Sequence, residues 1–170
     1  MKRWIGPLLV LAITGVAGHW ATLAYAPSVI MNGALAAMEE RGIAEHAFTT
    51  PQRITPQTQA VVRSSPDLYY SLCRYDLSAP GSVLTVTMGA WPDYQSLSFF
   101  DGNTNNFLKE RGEGKAVEVR LVAPGAKFSG AQESPTLRGI VLIRRLAPTA
   151  TLFAKAQEAS AGDACELSTS

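Results

Sequence analysis

Histidine is scarce in this 170-residue chain: there are two, His19 and His46, and only two cysteines, Cys73 and Cys165. His19 falls in an uncharged apolar run and His46 just ahead of a proline-containing stretch. A Ser or Cys nucleophile therefore lacks the positioned imidazole base that triad-type catalysis needs. No His/Cys cluster has the spacing of a zinc site. The stretch "GEGKA" at 112–116 fails as a phosphate loop, because Lys109 stands where the upstream glycine belongs and Ala116 where Ser or Thr should follow. Net charge is only +1, which excludes the basic surface a nucleic-acid backbone requires. No cofactor, resident metal or nucleic-acid partner is expected, and no internal repeat occurs. The length suits one domain with a real core.

Charge is also missing from the N-terminus after Lys2 and Arg3. From Trp4 to Tyr25 no formal charge appears, and these 22 residues would span roughly 33 Å as a helix, the thickness of a bilayer's hydrocarbon core. Trp4 lies at one end and Trp20 and Tyr25 near the other, where amphipathic rings favour the headgroups. Gly6, Pro7, Gly15 and Gly18 are tolerated in such a span, and His19 fits a neutral imidazole near the outer interface. The next basic residue is Arg41, so the positive-inside bias puts the N-terminus in the cytoplasm and the rest outside. A cleaved signal peptide is the other reading, since residues 5–16 also fit an h-region; Pro27 directly after Ala24-x-Ala26 disfavours that cleavage site. Either way the domain is exported.

The chain divides into an anchor (1–27), a helix and linker (28–60), an antiparallel β domain (61–148) and a C-terminal helix and tail (149–170). Met31, Leu35 and Met38 recur at helical spacing and Gly42 is a natural stop. Residues 49–59 hold two prolines and no periodicity, so an extended linker is expected there, with the folded domain starting near Val61. Strands are expected at 68–77, 82–88, 94–100, 116–122 and 138–146, the last apolar on both faces at its centre and so central in its sheet. Turns fall at Pro80-Gly81, Pro92-Asp93 and Pro124-Gly125. Five such strands predict a mainly β fold, an antiparallel sandwich or partly open barrel, and 149–162 predicts a short helix.

The polar stretch "FFDGNTNNFLKERGEG" at 99–114 invites a cation site, with Asp101, Asn103 and Asn105 at positions one, three and five of an EF-hand-like loop. Position six is Asn106 rather than Gly and position twelve is Gly112 rather than Glu, so turn chemistry is the better fit. The loop's polar groups remain candidates for binding, as loops on rigid sheets commonly are. Cys73 and Cys165 can pair in an oxidising compartment; the alternative is a buried thiol at Cys73 and a free one in the tail.

Four stretches in succession, "HWATLAYAP", "CRYDLSAPGSVLTV", "YQSLSFFDGNTNNF" and "ESPTLRGIVLIRRLAPT", resemble the short, membrane-anchored proteobacterial members of the domain of unknown function 1254 (DUF1254) family. The resemblance covers most of the chain from His19 to Thr149. It implies an antiparallel β domain held at the bacterial inner membrane and facing the periplasm, with a companion domain of unknown function supplied by another envelope protein. It implies no reaction and no catalytic residues, but its matching stretches include Arg74, Asp76, Asp101 and Asn106-Phe107. The binding candidates are thus Arg74, Asp76, Tyr94, Asp101, Asn103 and Asn106, with the bilayer itself as partner of the Trp4 to Tyr25 span. The expected function is a non-enzymatic envelope binding module; the alternative is a hydrolase or carbohydrate-acting enzyme pairing Asp101 with another aspartate, assisted by Arg74 or Tyr94.

Overall fold

A computed structural model describes residues 2–54 and 64–169. After a 3-10 turn at Lys2–Trp4 the chain forms one long helix, α1, Ile5–Glu40, with Pro27 inside it. At 36 residues it is about 54 Å long. Its apolar N-terminal part is uncovered, with Trp4, Leu11, Trp20 and Tyr25 all exposed. It is long and apolar enough to cross a membrane, properties a signal sequence shares. Further on the helix changes character. Met31 is buried, and Ala34, Leu35, Ala37 and Met38 are half-buried on the same stripe. That stripe lies against the outer face of a sheet through strand β7 (Arg138–Leu146).

The helix stops for a local reason. Gly42 adopts φ 74°, its N–H donates to Glu39 O at 2.9 Å, and Ile43 N–H donates to Met38 O at 3.0 Å. These are the two bonds of a Schellman cap, which needs the left-handed conformation that glycine adopts freely. The following segment then runs along the edge of β1 (Leu68–Asp76). His46 N donates to Arg74 O, while Thr49 and Leu72 exchange both backbone bonds at 2.8 and 2.9 Å. Residues 50–54 have no regular secondary structure, and the segment expected as a linker begins pinned to the sheet at Thr49. The rest of the expected linker and the boundary at Val61 lie outside the described residues.

Two four-stranded sheets make the β unit. The first has order β1-β7-β3-β4, with β3 at Gln95–Phe100 and β4 at Asn106–Arg111; all its pairs are antiparallel. The second has order β6-β5-β2-β8, from β2 (Ser82–Met88), β5 (Val117–Val122), β6 (Gln132–Glu133) and β8 (Ala164–Thr169). Only the two-residue β6 runs parallel to its neighbour. The arrangement is a mainly β, sandwich-like fold, as the strand spacing predicts. The apolar strand 138–146 is central, lying between β1 and β3. Alternation explains the core: Cys73, Tyr75, Val86, Leu97, Phe99, Val141 and Ile143 all point between the sheets and are fully buried. Packing each such side chain there contributes about 1.5–3 kcal/mol.

Strands β4, β6 and β8 are additional to the five expected. A helix, α2 (Ala150–Ala159), does follow β7, capped by Thr149 Oγ1 accepting from Leu152 N at 3.2 Å. Its Ala156 and Phe153 pack on Tyr69, with the Phe153 and Tyr69 rings edge to face at 5.0 Å. The chain then returns as β8 beside β2, where sequence reasoning placed only a tail. A disulfide joins Cys73 of β1 to Cys165 of β8 and so links the two sheets at one edge. It closes a loop of 92 residues, a constraint on the unfolded chain worth up to about 4–5 kcal/mol. Replacing both cysteines with alanine should lower unfolding stability by about 2–5 kcal/mol in urea titration of the detergent-solubilised full chain. Intact mass should rise by two hydrogens on reduction of the wild type; labelling of both thiols without reductant would contradict the bond.

Candidate functional site

The residues nominated by sequence do not converge on one place. Asp101 is 3% exposed, and its own turn consumes its carboxylate. Oδ1 accepts from the backbone N–H groups of Asn103 and Asn105, both at 2.8 Å, and Oδ2 accepts from Asn105 Nδ2 at 3.0 Å. Thr104 sits at φ 66°, closing the turn by donating to Asp101 O. An aspartate that receives three such bonds is an Asx-type turn anchor with little left for a cation. Asn103 is exposed, and Asn106 opens β4 opposite Phe100, across a register shift. Phe107 folds back onto Phe99, with ring centroids 6.2 Å apart. Among the described residues no three His, Cys, Asp or Glu side chains gather as metal ligands would.

Arg74 and Asp76 lie on the outer face of β1, where Arg74 ties α1 to the domain and Asp76 pairs with β7. Arg74 donates from Nε to Ile43 O at 3.0 Å and from Nη1 to Glu39 at 3.2 Å. Asp76 receives Arg138 Nε at 2.6 Å and the Ser78 N–H at 2.8 Å. His46 Nε2 lies 3.0 Å from both the backbone N and O of Asp76, which anchors the segment before β1. Tyr94, just ahead of β3, is 42% exposed and carries the Arg111 guanidinium 5.6 Å above its ring. Tyr94 and Asp101 flank β3 from opposite ends, about 20 Å apart along an extended strand. Asp76 faces outward beside Arg138 while Asp101 is buried beside Tyr75, so these two carboxylates share no site.

The polar group that ties the sandwich together was not among the nominated residues. Arg145 of β7 and Asp163, just ahead of β8, have side chains 0% exposed. Arg145 Nη1 donates to Asp163 Oδ2 at 2.8 Å and Nη2 to Oδ1, a bidentate pair. Asp163 also accepts from Ser71 Oγ of β1 at 3.0 Å and from Gly89 N, at the end of β2, at 2.9 Å. Gly89 O receives Arg145 Nη2 in return at 3.2 Å. The approach at Gly89 is tight: a Cβ there would meet Ala159 O at 3.0 Å and the Gly162 backbone at 3.3 Å. The alternation Val141, Ile143, Arg145 would have revealed the inward arginine; nothing comparable marks Asp163.

Beside this pair an open cleft of about 610 Å³ runs along the edge where β1 and β8 face each other. Segment 46–50 forms one wall, Tyr69 and Ser71 the floor, and Ser160 to Glu166 the other wall. Its hydroxyls are linked: Tyr69 OH lies 2.9 Å from Ser160 Oγ and donates to Thr50 Oγ1 at 3.1 Å. Chemically this is a hydroxyl-bearing groove along a strand edge, with the exposed carboxylate of Glu166 on one wall. It offers hydrogen bonds from Thr50, Tyr69 and Ser160.

Two titrations follow from these surroundings. Burial opposes ionisation of Asp76, but hydrogen bonds from Ser78 and Arg138, with the charge of Arg138, outweigh it and hold the carboxyl below its ordinary value. A depressed carboxyl contributes stability that is complete above the unfolded value and lost as pH falls through the folded one. The urea midpoint should therefore drop on acidification below about pH 4, and Asp76→Asn should reduce that acid slope. Burial pushes the Tyr75 hydroxyl up to about 12, opposed by its hydrogen bond with Ser134 and reinforced by the charge of Asp101. The contribution of neutral Tyr75 is intact below about pH 10 and lost as pH rises toward the folded value, so Tyr75→Phe should flatten the alkaline limb of the same titration.

Comparison with known proteins agrees with the fold. The VPA0106 protein from Vibrio parahaemolyticus superposes with a TM-score of 0.59 at 12% identity, over 85% of this chain and 35% of that one. A putative uncharacterized protein from Burkholderia cenocepacia superposes with a TM-score of 0.50 at 11% identity, over 73% of this chain and 35% of that one. At such identities the likeness shows the fold alone, and this chain spans about a third of the length of each. No curated protein matches the sequence. The profile described as "Protein of unknown function (DUF1254)" matches residues 46–166, which run from the histidine that anchors the edge of β1 through most of the sandwich to the middle of β8, and the chain belongs to that family.

Proposed function

We propose that the chain is a membrane-anchored interaction module of the bacterial cell envelope, with its N-terminus in the cytoplasm and its β domain in the periplasm, where it binds another envelope protein. The observation that carries this reading is the division of α1 into two halves. The N-terminal half exposes a continuous apolar surface, and the half after Pro27 is packed on the sheet and tied down through Arg74. An uncovered apolar stretch of bilayer length has its natural surroundings in lipid. The placing of Lys2 and Arg3 before it, with no basic residue until Arg41, favours export of the domain. The disulfide is at home in that oxidising compartment.

The solved structures support the partner. They carry this fold as about a third of a longer polypeptide, so the unit has other protein beside it there. The partner proposed here is an envelope protein that carries such a companion. Protease added to spheroplasts should degrade the β domain while sparing it in intact cells, and the membrane fraction should hold the chain with residues 1–27 still attached. Affinity purification from detergent-solubilised membranes should recover one stoichiometric partner. Recovery of the chain alone, or a soluble chain lacking its first 27 residues, would overturn the respective part.

A further inference from the structure

A sandwich of two open sheets has four edges, and each exposed edge is a template for another strand unless something blunts it. Three of the four are blunted here. The edge of β1 is covered by the backbone bonds of residues 46–49. The edge strand β4 carries Lys109, Glu110 and Arg111 and joins β3 across an irregular register. At the third, β6 is only two residues long, and the part of β5 that it leaves uncovered carries the charged Glu118 and Arg120. The fourth edge, β8, is six residues of "ACELST" with no proline and no lysine, regularly paired to β2 on one side and to none of the described residues on the other. The open cleft described above lies along this unblunted edge, and small residues there, Ala47, Ala161 and Ala164, leave room for a backbone to approach.

We infer that β8 is a strand-docking site, which accepts an extended segment of the partner protein as a ninth strand held mainly by main-chain hydrogen bonds. The inference rests on the partner reading above and names the surface and mode of that contact. A second copy of this chain is the poorer occupant, because it would bring a second Glu166 to the seam, and antiparallel β8–β8 pairing centred on that residue sets two like charges directly opposite each other. Charge narrows the occupant further: Glu166 is exposed in β8 and has no ion pair among the described residues, so a Lys or Arg on the docking segment is favoured opposite it.

The test uses the full chain in lipid nanodiscs and a synthetic extended peptide, acetyl-TVKVTVKT-amide, with a twin N-methylated at alternate residues. Saturable binding is expected, with amide exchange slowed within residues 164–169. The N-methylated twin and the Glu166→Lys variant should each bind at least about tenfold more weakly, the loss of one or two hydrogen bonds or one charge contact. Equal binding of the twin, no binding, or slowed exchange elsewhere would overturn the site. A second measurement separates this from the partner reading: a Glu166→Lys/Ser168→Lys variant, folded by its unchanged thermal transition, is used for the membrane purification. Loss of the co-purified partner supports docking on β8, whereas undiminished recovery would leave a partner but remove it from this edge.

Discussion

The buried ion pair between Arg145 and Asp163 is the contact on which the rest of this fold depends. Two opposite charges taken out of water lose several kcal/mol of hydration each, and their attraction repays this best when their remaining polar atoms are also satisfied. Gly89 O takes Arg145 Nη2, while Arg145 Nε finds no hydrogen-bond partner among the described residues. Here Ser71 and Gly89 complete the coordination of Asp163. Those four residues belong to β7, the lead into β8, β1 and the end of β2, so one cluster joins both sheets. Two residues further along each strand, Cys73 and Cys165 repeat the connection covalently. The ladder continues backwards with the Tyr69 and Ser160 hydroxyls. The seam between β1 and β8 is therefore closed by side chains where no backbone ladder closes it, and the cleft above it exists for that reason.

A second set of polar contacts gives the domain its relation to the helix. Arg74 reaches Glu39 and the Ile43 carbonyl, Asp76 holds Arg138, and His46 secures the intervening segment to the end of β1. Several of these charges are partly exposed, so each pair contributes modestly by itself. Their effect is directional: they fix the packed half of α1 along the outer face of the first sheet.

Much of this was legible in the sequence because it follows from period-two alternation and turn residues. Strands β1, β2, β3 and β5 alternate, β7 stands out as apolar on both faces at its centre, and Gly42 ends α1 where its φ demands a glycine. The cluster of Asp and Asn after β3 signals a turn because those side chains bond their own backbone. What escaped did so for physical reasons. β4 reads "NFLKER", an edge strand whose charges serve to repel pairing and so hide its pattern. β8 is short and polar, and its place is set by the ion pair and disulfide that hold it. Arg145 looks like the polar end of a strand until parity is followed from Val141. Arg74 and Asp76 are binding candidates only through the family resemblance, and their partners in α1 and β7 are tertiary facts that no local pattern encodes.

The most direct test of the seam is a double-mutant cycle on its central pair, with Arg145→Met and Asp163→Leu measured singly and together by urea unfolding of the full chain. Each single change strands a buried charge and should cost about 3–5 kcal/mol. The double change removes both charges, so its cost should fall well below the sum of the two, leaving a coupling of about 2 kcal/mol or more. Additive costs, or single changes of under about 1 kcal/mol, would contradict a fold that depends on this pair.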